Sequence, residues 1–259
     1  MKLFSLIIAL CLPIQLFSQT VDTVKRDTLV TTSKSSSIMR GQNPPNVKSF
    51  IVPAVLMTYG AISLGNNALR DLDYSTRDEI QEDHPKFANR LDDYLRFVPA
   101  AAFYGLNLAG VKSKHTVVDG TALFVFSQGI MGVSTLIVKR AADRLRPDGA
   151  DNYSFPSGHT AAAFASAEFL NQEYRDVSPW IGYAGYAVAT ATGAFRLYNN
   201  KHWLSDVVAG AGVGIASTKL AYLIYPHLRK MVIGKQSVKY SLVPMYQQKN
   251  IGLSFSGSF

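Results

Sequence analysis

Cysteine is almost missing from this chain: the single one, Cys11, sits in the amino-terminal apolar run, and cleavage of that run leaves no thiol at all. A disulfide framework, cysteine ligation of a metal and thiol catalysis are thereby excluded. Charge is scarce as well, at 17% of 259 residues, and leans basic, with 26 Lys and Arg against 18 Asp and Glu. Nucleic acid is the usual partner of a basic chain, but basic patches interleaved with aromatics are lacking, so phosphate groups or anionic lipid fit better. There is no internal repeat, which excludes a solenoid or propeller. What remains, 47% hydrophobic and 11% aromatic, suits one well-packed domain.

Residues 1–18 carry Lys2, an apolar run over 3–12 and Ser18 before Gln19, the pattern of a secretory signal peptide. The expected location is therefore exported: periplasmic, or associated with an envelope membrane, with the site outside the cytoplasm. Residues 19–48 are rich in Ser, Thr, Lys and Asn without an apolar period, and read as a solvated, disordered leader.

Six apolar, small-residue stretches follow, at 50–64, 97–111, 117–138, 160–170, 180–195 and 207–225. Their lengths predict helices rather than strands. The charged segment 70–96 places Ile80, Phe87, Leu91, Tyr94 and Leu95 at amphipathic spacing, interrupted by Pro85. It is expected to pack on the bundle or on a membrane surface. In the tail, 229–259, Ile251, Leu253 and Phe255 alternate with small residues, predicting a short β-hairpin. The expected fold is all-α, a bundle of about six core helices over 49–228, with a C-terminal β-hairpin. Several stretches are short of a full span, and three full crossings before Lys139 would turn the next loop to the cytoplasm.

Three patterns occur in order: Lys139 and Arg146-Pro147 with six residues between, then Pro156-Ser157-Gly158-His159, then Arg196, His202 and Asp206. A phosphate ester spreads negative charge over its non-bridging oxygens, which a group of lysine and arginine side chains stabilises through the transition state. Lys139, Arg146 and Arg196 suit that task, arginine as a planar fork and lysine as a point charge, so metal is unnecessary. Ser157-Gly158 before a small-residue run suits a helix start, where free N–H groups hold an anion. His202 and Asp206 are four apart, so on a helix the carboxylate can fix one tautomer of the ring. His159 is placed to protonate a departing alkoxide and later to activate water.

In this order and spacing, the patterns resemble the signature of the phosphatidic acid phosphatase type 2 / haloperoxidase superfamily, and the likeness extends over residues 50–226. The resemblance implies a phosphatase without metal or other cofactor, working through a phosphohistidine on His202, with His159 as acid/base and Asp206 as orienter. Lys139, Arg146, Ser157, Gly158 and Arg196 are implied to bind the phosphate. The chain departs from the pattern at Phe195, where serine is common, and in a short gap between Pro147 and Pro156.

The substrate expected first is a lipid phosphate of the phosphatidic acid, phosphatidylglycerophosphate, polyprenyl diphosphate or lipid A type, met at a membrane. A soluble periplasmic acid phosphatase acting on small phosphomonoesters is the second reading. More distant are a vanadate peroxidase and a non-catalytic envelope protein. Arg140 and Arg144 read as a basic flank anchoring a helix end at headgroups. His84, His115 and His227 have no matching partner in the sequence and stay outside the site. Trp180, Tyr183 and Tyr186 suit an interface belt or core, and Trp203 a pocket wall.

Overall fold

The computed structural model describes residues 45–233, 239–247 and 250–258. The expected signal peptide, 1–18, and most of the expected leader lie outside the described residues. After a 3-10 turn at Val47–Phe50, eight helices follow: α1 (Ile51–Ile62), α2 (Ala68–Asp83), α3 (Leu91–Leu95), α4 (Val98–Leu108), α5 (Val117–Ala142), α6 (Gly158–Tyr174), α7 (Pro179–Tyr198) and α8 (Leu204–Ile233). The all-α bundle is as expected, and its six apolar stretches become α1 and α4 to α8. The charged segment supplies the other two, α2 and α3, split by a turn around Pro85. The last helix, α8, runs to Ile233. In the tail, β1 (Lys239–Gln247) and β2 (Asn250–Ser258) pair antiparallel, while residues 248–249, which would make them a hairpin, lie outside the described residues.

Helix starts follow local chemistry. Asn67 caps α2 by accepting from the N–H groups of Leu69 and Arg70, Thr116 caps α5 through Asp119, and Ser157 caps α6 through Thr160. Asp143, left-handed at φ 43°, closes α5, a conformation that Asp tolerates better than most residues.

The centre is α6. Ala161, Ala162, Ala163, Ala165 and Ala167 are all buried on it, and α7 and α8 pack along it. The small side chains let backbones approach: a Cβ on Gly214 of α8 would stand 2.3 Å from the Ala161 carbonyl oxygen, and one on Gly210 would stand 2.6 Å from that of Ser157. Bulkier packing fills the half away from Ser157, where Phe103, Leu123, Phe169, Leu170, Tyr174 and Tyr222 form one cluster.

Among the described residues two helices are long and apolar enough to cross a membrane, residues 117–142 and 204–230, or three spans if the pair α1 and α2, bent by 86°, counts as one. In the apolar stretch of α5 only 22% of residues are buried, against 61% in α8. Val118, Val125, Val133 and Ile137 of α5 stand exposed, a surface that water disfavours and lipid does not.

The close α6–α8 contact makes a stability prediction. Gly214→Ala should overpack the crossing and cost about 1–3 kcal/mol, whereas Gly129→Ala on α5, where an added Cβ meets nothing within 4 Å, should cost nothing. Thermal unfolding in detergent compares them; equal melting temperatures would refute the packing argument.

Candidate active site

Because α5 and α6 are antiparallel neighbours, as are α7 and α8, the carboxyl ends of α5 and α7 and the amino ends of α6 and α8 meet at one end of the bundle. All three sequence patterns lie there. Lys139 is in the last turn of α5, Ser157 and His159 open α6, Arg196 is in the last turn of α7, and Asp206 is in the first turn of α8. Arg146 and His202 come from the two connecting loops.

His202 is buried, and Arg146 Nη1 lies 3.3 Å from its Nε2. On the other side Nδ1 stands 3.5 Å from Asp206 Oδ2, long for a hydrogen bond, with no other partner among the described residues. Asp206 is itself fully enclosed: Oδ2 accepts from Ser154 Oγ at 2.5 Å and from the Trp203 N–H at 2.9 Å, and Oδ1 accepts from Arg144 Nη1 at 2.8 Å. Burial pushes the His202 pKa down to about 4, with Arg196 and Lys139 acting the same way and Asp206 opposing. Burial thus favours the neutral ring, whose Nε2 lone pair faces Arg146 if Nδ1 carries the proton.

The cations around it are held differently. Lys139 Nζ donates to the carbonyls of Tyr153 at 2.5 Å and Ser154 at 3.4 Å. Arg146 Nε donates to Asp151 at 2.7 Å and Nη1 to the Lys201 carbonyl at 3.1 Å. Arg196 Nη1 donates to Asp92 at 2.5 Å, while its Nε is buried without a partner among the described residues. That Nε is an uncommitted donor, of the kind that buried sites normally pair. A Cβ on Gly158 would lie 3.9 Å from Lys139 Cε with only Thr135 Cγ2 otherwise near, at 3.8 Å, so glycine here leaves open space beside the lysine. Ser157 also has structural partners: its hydroxyl oxygen accepts from Thr160 Oγ1 at 2.9 Å, and its N–H donates to the Asp206 carbonyl at 3.0 Å.

His159 Nε2 lies 2.8 Å from Asp93 Oδ1. Burial and the Arg196 charge pull its pKa down while Asp93 holds it up, and the bond from the imidazole lowers the Asp93 carboxyl in turn. Ligand-capable atoms of Asp92, Asp93 and His159 come within 4.8 Å of one another; with Arg196 already on Asp92, the trio reads as charge-paired hydrogen bonding.

Sequence reasoning missed the carboxylates. Asp73, Asp92 and Asp93, all from the charged segment, touch Arg144, Arg196 and His159 respectively. The reading of Arg144 as a headgroup anchor is overturned: its side chain is 9% exposed and bridges Asp73 and Asp206. Arg140, given the same reading, is exposed. Trp203 donates its indole N–H to the Leu145 carbonyl and packs edge-on against Tyr74, covering the Arg144 guanidinium. Phe195 stacks on Phe87, so the position where serine is common is apolar packing here. His115, also set aside, binds the buried Glu173 at 2.7 Å, in the half of the bundle away from the motifs.

Residues 112–230 match the model of the PAP2 superfamily, an interval holding every motif residue. Over 144 residues the chain is 40% identical to Lipid A 1-phosphatase of Porphyromonas gingivalis, covering 53% of this chain and 31% of that protein; the chain thus spans about a third of that relative's length. Among solved structures, the transmembrane PAP2 type phosphatidylglycerolphosphate phosphatase from Bacillus subtilis aligns with a TM-score of 0.46 at 19% identity, covering 71% of this chain and 99% of that one. LpxE from Aquifex aeolicus aligns with a TM-score of 0.42 at 19% identity, covering 56% and 92%.

Gly158→Ala tests the open space beside Lys139. The variant should melt within a few degrees of the parent but bind inorganic phosphate about tenfold more weakly, roughly one lost hydrogen bond to an anion. Calorimetric titration measures this; unchanged phosphate affinity would remove Gly158 from the site.

Proposed function

We propose that this chain is a membrane-embedded phosphatase of the PAP2 type that hydrolyses the phosphate monoester of a lipid through a phosphohistidine on His202, without metal. The observation that carries the reading is the environment of His202: a buried neutral imidazole with Nε2 against Arg146, Nδ1 towards Asp206, and Lys139 and Arg196 nearby.

In the first half-reaction the Nε2 lone pair attacks phosphorus and the P–O bond to the alcohol breaks. Its electron pair leaves on that oxygen, which takes a proton from His159. Arg146, Arg196 and Lys139 spread the charge of the equatorial oxygens, and Asp206 stabilises the imidazolium-like ring. In the second half, water gives a proton to His159 while its oxygen attacks phosphorus, and the N–P pair returns to Nε2. The products are the alcohol and inorganic phosphate, and His159 ends as it began.

The exposed apolar face of α5 favours a lipid over a small soluble ester, since an enzyme embedded beside acyl chains meets its substrate in the bilayer. The 40%-identical relative is named for lipid A and its 1-phosphate, which supports a phosphorylated sugar lipid as the first substrate to try. An extracytoplasmic site stays part of the proposal, with one added condition. Pro45 lines a cavity with Tyr222 and Tyr225, about 26 Å along α8 from Ser205 at 1.5 Å per residue. In a bundle that crosses the bilayer, Pro45 and His202 then face opposite sides, so an outward site requires Pro45 to face the cytoplasm and conflicts with a cleaved export signal.

The test is phosphate release from lipid A and from p-nitrophenyl phosphate by the full chain in mixed micelles with EDTA. Lipid A should be cleaved, His202→Ala should lose about 10⁴-fold or more, and His159→Ala about 10²–10⁴-fold, less on the better leaving group. Loss of activity in EDTA would overturn the metal-free mechanism, and preference for the soluble ester would overturn the lipid assignment.

A further inference from the structure

The short helix α3 is the element the motifs do not explain. It is five residues long, begins beyond the turn that breaks the charged segment, and leaves Leu91 and Tyr94 exposed, Tyr94 at 73%. Its two carboxylates point the other way. Asp92, buried, holds Arg196 and accepts from Asn199 Nδ2 at 3.2 Å; Asn199 also donates to the Asn89 carbonyl and accepts from the Asn89 N–H. These bonds lock α3 onto the end of α7. With α3 so fixed, Asp93 has one imidazole within reach, that of His159 at 2.8 Å.

Building on the phosphatase reading, we propose that Asp93 is a positioning residue for the proposed general acid: it holds His159 through Nε2, leaving Nδ1 to pass the proton to the departing oxygen. A histidine acting as an acid must be protonated at working pH and must present one defined nitrogen. Asp93 serves both ends by accepting a hydrogen bond that the imidazolium makes more strongly than the neutral ring. The charged groups around His159 are Asp92 and Asp93 of α3, Arg96 just beyond its carboxyl end, and Arg196 of α7. The two arginines disfavour the imidazolium, Asp92 is committed to Arg196, and Asp93 is the carboxylate bonded to the ring. In the transfer itself, the Nδ1–H bond breaks as the P–O bond breaks, and Asp93 stays ionised throughout.

Asp93 is 46% exposed on its side chain, so its replacement leaves no buried orphan and the variants should fold. Asp93→Asn should lower kcat on lipid A about tenfold or more, with KM within about twofold, and shift the basic limb of the kcat–pH profile to lower pH. The sign follows from losing the group that favours the protonated ring. Asp93→Glu should restore most of the rate. In an His159→Ala background Asp93→Asn should change nothing further. Independently of turnover, the His159 ring followed by NMR in the full-length protein in micelles should titrate at lower pH in Asp93→Asn. A fall in kcat with an unmoved pH profile, an increase in activity through lower KM, or an unchanged His159 titration would each overturn the proposal. Absence of any phosphate release by the wild type would instead sink the phosphatase reading, while the titration still decides whether Asp93 governs His159.

Discussion

Arg144 holds two buried carboxylates at once, Asp73 at 2.7 Å and Asp206 at 2.8 Å. Asp73 in turn accepts the Ser205 N–H and hydroxyl at the start of α8, so one guanidinium ties α2, the loop after α5 and α8 together. Burying a carboxylate is tolerable only when it is paired and hydrogen-bonded; removing one partner of such a pair costs about 3–5 kcal/mol. Asp206 meets the condition on every side, with Arg144, Ser154 and the Trp203 N–H around it. Its remaining approach is towards His202. The imidazole thus faces a carboxylate that the rest of the fold holds in place, its Nδ1 3.5 Å from Asp206 Oδ2, and the same bonds tie the start of α8 into the bundle.

Close packing delivers the same geometry from below. Small residues on α6, α7 and α8 let their backbones approach until the Ser157 N–H donates to the Asp206 carbonyl at 3.0 Å. The amino ends of α6 and α8 then lie side by side, and both bring the positive end of a helix dipole to the place where Lys139, Arg146 and Arg196 converge. Such a concentration of positive charge is unfavourable by itself. Asp151 and Asp92 offset it at Arg146 and Arg196, while among the described residues Lys139 has carbonyl partners alone.

The helical bundle could be read from the sequence because each core helix is an apolar run between polar breaks, as residues 117–138 and 180–195 illustrate. The ends of those runs carry the motifs, and alternating helix direction is enough to bring Lys139, His159, Arg196 and His202 to one end. Asp73, Asp92 and Asp93 could not be read. They lie in a charged segment where any acidic residue has the same local appearance, and their partners are between 66 and 132 residues away. Arg144 failed for a related reason: Lys139-Arg140 and Arg144 look alike as a basic flank, and only the buried carboxylates beside Arg144 distinguish it. Long-range ion pairs leave no periodicity, so a reading based on spacing finds the motif and misses what holds it.

On the proposed chemistry, the two histidines need opposite protonation states at the same pH. Each has an aspartate, yet the pairs are built differently. His202 is 3% exposed, with its carboxylate shared among Arg144, Ser154 and Trp203 at a long 3.5 Å from Nδ1, so burial prevails and the ring stays neutral. The His159 side chain is 26% exposed and its carboxylate, free of any other partner among the described residues, sits at 2.8 Å, so the aspartate counts for more against the desolvation and the neighbouring arginines. Burial pushes both rings below the ordinary histidine value, but a bonded, otherwise uncommitted aspartate opposes that push at His159, and such unequal environments are how one site draws two roles from a single residue type. The difference in how the aspartates are engaged fits the proposed roles, in which His202 attacks and His159 protonates.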